Sequence, residues 1–204
     1  MIPAISLAYE KPETDIMNRK PRNAKTDHLV NAKLISFAYF QIGMIQALAG
    51  FFSFFVVMDW GGYTPSDLVG LGAEFSPTDG AWNEPSRREG MPKEELLKHA
   101  QTAFFVSIVI VQWADLMICK TRKLSLFQQG MRNWILNFGL FSETALAAIL
   151  LYVPAFNGLG TRPILFTHWL CGLPFSLLIF TYDEIRKAII RRYPGGWLDR
   201  NTSY

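Results

Sequence analysis

The chain has 204 residues, half of them hydrophobic and only 18% charged, with a positive mean hydropathy of +0.14. Soluble domains carry about a quarter charged residues, so the balance points to a membrane protein. The 20 basic and 17 acidic residues are too even for a nucleic-acid footprint. Cys119 and Cys171 both sit in apolar runs, which excludes a secreted disulfide scaffold, and 16 Phe with six Trp exclude disorder.

Residues 1–9 (MIPAISLAY) are apolar but only about 13 Å long as a helix, too short to span, and they lack the basic n-region of a signal peptide. They read as the end of a membrane helix whose start is missing, or as an interfacial anchor of a complete short protein. Residues 10–33 form a polar loop. Residues 34–58 then run for 25 positions without a charge, about 37 Å as a helix against a hydrocarbon core of about 30 Å. Residues 101–119, 133–153 and 164–182 are three further candidates. The expected fold is therefore all-α, a domain over 34–204 with a bundle of four transmembrane helices, preceded by the end of another. Pro174 lacks a backbone donor and should kink the last span.

Between the first two spans lies a long loop, 59–100, rich in Gly and Pro and carrying the aromatics Trp60, Tyr63, Phe75 and Trp82. It reads either as a partner-binding surface or as a solvated spacer. Residues 9–33 carry six basic side chains, residues 120–132 four and the tail 183–204 five, fifteen in all, whereas loop 59–100 carries four and the short fourth-span connection one, Arg162. The larger group is expected on the cytoplasmic side, with loop 59–100 outside.

Within the four spans the ionisable acids are Asp115 and Glu143, with no Lys or Arg. Glu143 is eleventh of the 21 residues 133–153, near the bilayer midplane, flanked by the hydroxyls of Ser142 and Thr144. A carboxylate there costs about 2.5–3.5 kcal/mol to insert, so a proton, partner or cation must compensate. Two readings stand: a cation site, or a protonated acid bonded to a neighbouring helix. Asp115 is five residues from Lys120 and could pair with Lys120, Arg122 or Lys123 in the headgroup region. It could equally join Gln112, one turn earlier on the same face, in a cation site. Two carboxylates and one amide suit a hard monovalent cation but are too few alone, so other helices would supply the remaining oxygens.

Gly43 and Gly50 share a face of the first span with Gln46, and Gln41 lies nearby. Small residues with amides allow close helix contact, with another subunit or within the chain. Arg122-Lys123-Leu124-Ser125 fits the pattern that basophilic kinases accept, making Ser125 a candidate phosphorylation site, although a charged lipid-facing loop explains the same residues. His28, His99 and His168 have no metal-ligand spacing, and there is no glycine-rich phosphate loop, no nucleophile-base constellation and no internal repeat. No catalytic residue is expected in this chain.

The runs QIGMIQALAGFF (41–52), TAFFVSIVIVQWADLMICKTRK (102–123), FQQGMRN (127–133), ETALAA (143–148) and FTYDEIRKAIIRRYPGGW (180–197) resemble the C-terminal membrane part of the sodium/potassium-transporting P-type ATPase α subunit and its proton/potassium sibling. MIPAISLAYE and DIMNRKPRN likewise resemble the end of that family's sixth membrane helix and the loop after it. The resemblance implies that the spans are helices seven to ten of a ten-helix plasma-membrane pump exchanging Na+ and K+. It also implies that Asp115, Glu143 and Gln112 bind a sodium ion, and that the first span and outer loop contact a β subunit. ATP, Mg and the phosphorylated Asp would belong to domains upstream, making the chain a fragment. Three departures fit a divergent invertebrate-type paralogue. Ser142-Glu143 stands where two adjacent acids are usual, Ser203-Tyr204 where paired tyrosines are usual, and Ser86-Arg87-Arg88-Glu89 where Ser-Tyr-Gly-Gln is usual. The other reading is a stand-alone four-span membrane protein that binds a β-like subunit without pumping.

Overall fold

The computed structural model describes residues 2–14, 16–18, 21, 23, 30–69, 85–87 and 90–202. His28, Phe75, Trp82, Arg88, Glu89 and the closing Ser203-Tyr204 lie outside the described residues. Their regular secondary structure is helical: α1 (Ile2–Ser6), α2 (Ala32–Ser36), α3 (Met44–Trp60), α4 (Lys93–Cys119), α5 (Leu126–Gln129), α6 (Trp134–Tyr152), α7 (Phe166–Leu170), α8 (Leu173–Arg192) and α9 (Trp197–Thr202).

Among the described residues, three continuous helices are long and apolar enough to cross a membrane: Ala32–Trp60, Lys93–Cys119 and Trp134–Tyr152. The first starts at Asn31, whose side chain accepts from Leu34 N at 2.8 Å as an N-cap. Between α2 and α3 it widens into a π-helical stretch, Phe37–Gly43. A Cβ at Gly43 would lie 3.2 Å from Ala38 O, so the wide turn is crowded where it closes.

The second helix begins eight residues before the apolar run, so 93–100 is helix where the sequence reads as loop. Glu94 and Glu95 favour the N-terminus of that first turn, and Lys98 meets Glu94 at 2.5 Å one turn on. The fourth apolar stretch is interrupted. α7 ends at Leu170, and α8 starts at Leu173 with Pro174 in its first turn, where a missing N–H costs least. A Cβ at Gly172, in the break, would come within 3.1 Å of Ile110 Cβ. The second half of α8 carries Asp183, Glu184, Arg186, Lys187, Arg191 and Arg192, too polar for a simple span.

The chain divides into two compact units, with the division falling inside helices. One comprises 1–46, 112–143 and 175–204, the other 47–111 and 144–174. In the second, α3 and α4 approach through small residues. Ala49, Ser53, Ala100, Ala103 and Ser107 are buried, and Ser107 Oγ donates to Ala49 O at 3.0 Å. Arg162 forks onto Glu95 in the same unit, Nε to Oε2 at 2.5 Å and Nη2 to Oε1 at 2.9 Å. In the first unit, Gly139 of α6 brings the backbone of Pro3 so near that a Cβ would sit 3.1 Å from its Cα.

Candidate functional site

Asp115 projects from the last turns of α4, half-buried, in the unit that also holds Gln46, Gln112, Glu143 and Asp183. Its polar neighbour is an amide: the Gln46 side chain, three residues beyond the π-helical stretch, lies within hydrogen-bonding reach of its carboxylate. The pairing with nearby lysines that the sequence leaves open is not adopted at Lys120 or Lys123. Lys120 lies 3.4 Å from Glu10 and donates to Gly130 O at 2.5 Å, while Lys123 pairs with Asp199 at 3.2 Å. Asp115 thus sits in an apolar helix with an amide donor in place of a counter-charge.

Gln112 is half-buried one turn earlier, without a hydrogen bond to Asp115 among the described residues. Glu143 on α6 is also half-buried, and its Oε2 is buried with no hydrogen-bond partner. An acceptor in that state costs on the order of 1–3 kcal/mol unless a proton or cation completes it. No hydrogen bond joins Glu143 to Asp115 or Gln112.

The four residues offered as a subunit-contact stripe are largely engaged inside the chain. Gln41 accepts from the Tyr182 hydroxyl at 2.5 Å, Gln46 serves Asp115, and Gly50 faces Phe104, whose ring a Cβ would approach to 2.7 Å. Ser125 is 8% exposed and is the N-cap of α5. It accepts from Phe127 N at 3.2 Å and donates to Glu184 Oε2 at 2.7 Å, so its hydroxyl is already used.

A cluster on α8 lies beside the site and escaped the sequence reading, which counted these residues only as part of a basic tail. Asp183 is 1% exposed, Arg186 5% and Lys187 0%. Arg186 Nη2 donates to Asp183 Oδ1 at 2.7 Å, and Lys187 Nζ lies 2.6 Å from Asp183 Oδ2. Lys187 also donates to Ile118 O at 3.0 Å and Thr121 Oγ1 at 2.8 Å, capping the C-terminal end of α4. Arg186 reaches Thr202 O at 3.2 Å and lies over the Phe37 ring, 4.5 Å from its centroid. Asp183 is near enough for its charge to be felt at Asp115. Its spacing of i, i+3 and i+4 was the available signal.

His99 and His168, distant in sequence, line one apolar cavity of about 350 Å³ with Val57, Trp60, Leu96 and Ile164. The His168 ring meets Trp60 edge-on at 5.0 Å.

Comparison with known proteins adds the remaining findings. The family described as cation transporting ATPase, C-terminus, matches residues 1–189. The chain is 55% identical over 215 residues to the sodium/potassium-transporting ATPase subunit alpha of Hydra vulgaris. It is 55% identical over 208 residues to subunit alpha-4 of Rattus norvegicus and 54% over 210 residues to subunit alpha-2 of Homo sapiens. Each alignment covers 100% of this chain and 20% of the relative, so the chain spans about a fifth of the length of these curated relatives.

Proposed function

Because the chain belongs to the cation-transporting ATPase C-terminal family, we propose that it forms the C-terminal membrane part of a sodium/potassium-type pump α subunit and supplies part of a sodium site. The observation that carries the reading is Asp115, held in an apolar helix by the Gln46 amide, with two neighbouring lysines committed elsewhere. A carboxylate without a counter-ion in such a place attracts a monovalent cation, because little solvent screens it. The Gln46 amide orients the carboxylate and leaves its other lone pairs open. Gln112 offers a carbonyl oxygen one turn away, and the unsatisfied oxygen of Glu143 is a second acidic acceptor in the same unit. The ions are cargo; ATP and Mg would act in domains beyond this chain.

The same reading places the chain in the plasma membrane with four crossings, the fourth made by α7 and α8 together, and residues 120–132 on the cytoplasmic side. The first span and loop 59–100 would meet a β subunit. With Gln41, Gln46 and Gly50 engaged internally, Gly43 and the exposed side chains Phe40, Met44 and Leu48 are the surface offered. A glycosylation acceptor inserted near Gly80 should be modified and one near Ser125 should not; the reverse pattern would overturn the orientation.

The test of the site uses the full-length pump. Asp115→Asn and Glu143→Gln keep size and an oxygen but remove the Coulomb attraction, so the sodium concentration for half-maximal phosphorylation should rise several-fold. The double variant should fall short of additivity if both line one site. Unchanged sodium dependence in both, at normal expression, would remove the site.

A further inference from the structure

Glu13 lies outside any helix, yet it is only 8% exposed. Its Oε1 accepts from three consecutive backbone N–H groups, those of Arg122, of Lys123 at 3.0 Å and of Leu124 at 3.5 Å. Successive N–H groups converging on one point form an anion-binding nest. Here the nest is filled by the chain's own carboxylate, more than a hundred residues away in sequence.

The same short segment grips the turn elsewhere. Glu10 pairs with Lys120 at 3.4 Å, and Gln129 Nε2 donates to Lys11 O at 3.0 Å. Asn133 Nδ2, at the start of α6, donates to Ser6 O and Glu10 Oε2, both at 3.1 Å. The gripped turn starts where α4 stops. Cys119 is the last helical residue, and Asp115 precedes it by four positions, about 6 Å of helix axis. Lys187 fixes the same end through Ile118 O and Thr121 Oγ1. The last turn of α4 is thus held by Lys187 from α8 and by Glu13 from the segment after α1.

We propose that Glu13 is a positioning residue for the cation site. Seated in the 122–124 nest, its carboxylate anchors the end of α4 and so fixes the depth and rotation at which Asp115 meets Gln46. This rests on the reading of Asp115 as a cation ligand. A helix end that loses an anchor frays or turns first in its last turn, which here begins at the residue after the ligand. Glu13 touches no ion itself, and its effect passes through the backbone from 122 to 115.

The experiment measures sodium activation of phosphorylation in the full-length pump for Glu13→Gln, Glu13→Ala, Asp115→Asn and the exposed neighbour Thr14→Ala. Glu13→Gln keeps the shape and one acceptor oxygen, so it serves if the alanine variant folds poorly. Glu13→Ala is expected to raise the half-maximal sodium concentration about fivefold and Glu13→Gln about twofold, with the maximal phosphorylation level kept and Thr14→Ala unchanged. Glu13→Gln combined with Asp115→Asn should add little, since both act at one ligand. If Asp115→Asn shifts sodium dependence and both Glu13 variants leave it unmoved, the positioning role is overturned while the site stands. If Glu13 substitution lowers only the amount of folded pump, Glu13 is a stability residue and the proposal is likewise overturned. If Asp115→Asn itself has no effect, the site reading fails and takes this inference with it.

Discussion

The surroundings of Asp115 and those of Gly50 are assembled by opposite chemistry. Around Asp115, charged side chains bind the ends of helices: Lys187 the carbonyl end of α4, Glu184 the amide end of α5 through Leu126 N at 2.9 Å, and Glu13 the turn between them. Around Gly50, backbones approach through small residues and an aromatic ring fills the space a side chain would need. The first arrangement depends on every charge keeping its partner, because a buried ion left alone is costly. The second depends on volume, because packed interiors accept neither gaps nor extra atoms readily. Polar chemistry therefore surrounds the candidate ligands, and steric packing joins α3 to α4.

The contrast can be broken most forcefully at Lys187. Lys187→Met removes one of the two cations paired with Asp183 and leaves Ile118 O and Thr121 Oγ1 without their donor. The expected cost is about 3–5 kcal/mol, read as a loss of thermal stability of the purified chain in detergent. Adding Asp183→Leu removes the acid that Lys187 no longer meets but also deprives Arg186 of its partner, so it should recover only part of the loss. A Lys187→Met variant of unchanged stability would mean that the cluster is solvated after all.

Steric packing is tested at Gly50. Gly50→Leu drives atoms into the Phe104 ring and should cost about 1–3 kcal/mol. Combining it with Phe104→Ala frees the space, so the pair should be less damaging than the sum of the two. If Gly50→Leu instead leaves the chain stable and abolishes capture of a β-type subunit, the stripe faces outward.

How much of this was legible follows from the same contrast. Long uncharged runs are a one-dimensional signal, and they gave the three continuous spans, with ends misjudged only where Glu94 and Glu95 extend α4 as amphipathic helix. Pro174 announced the break before α8, but its depth depends on Gly172 lying against Ile110, a contact between distant residues. Asp115, Glu143 and Gln112 stood out because ionisable or amide side chains are rare in apolar runs. Gln46 was noticed as a helix-contact amide, with another subunit or within the chain, because nothing local says that an amide on the first span faces a carboxylate on the second. Asp183, Arg186 and Lys187 were counted only as part of a charged tail, because composition does not say what a charge meets, whereas here each meets another charge or a helix end. The π-helical stretch has no pattern in sequence beyond the glycine that closes it.

Ser125 sharpens the polar side of the comparison with a smaller effect. Ser125→Ala removes the α5 cap and one bond to Glu184, and should cost about 1 kcal/mol. Ser125→Asp places a second carboxylate against Glu184 and should cost more, as should a phosphate delivered by a kinase. Kinase labelling should accordingly be slow in the folded chain and faster in the Glu184→Gln variant, which loosens the cap. Equal labelling of both would show that the hydroxyl is accessible despite its bonds.

The smallest expected effect lies in the described start of loop 59–100, where a polar contact is open to solvent and the rule of costly stranded charges should not apply. The Asp67 carboxylate accepts from Thr64 Oγ1 at 2.8 Å and from Thr64 N at 3.1 Å, with Arg87 at 3.6 Å. The Thr64 hydrogen bonds, hydroxyl first, hold its pKa below the ordinary carboxylate value. A depressed acid pKa means that the folded turn favours the ionised form. Its contribution is therefore present above the unfolded-state value near pH 4 and is lost as pH falls through the lower folded-state value. Water screens the group, so global stability should barely respond to Asp67→Asn. What should change is local: at neutral pH the Thr64 amide should exchange its hydrogen faster in Asp67→Asn than in the parent, while amides of α3 keep their protection. If the α3 amides also lose protection, this exposed turn is mechanically joined to the helix before it, and the separation between costly buried charge and inexpensive surface charge fails in this loop.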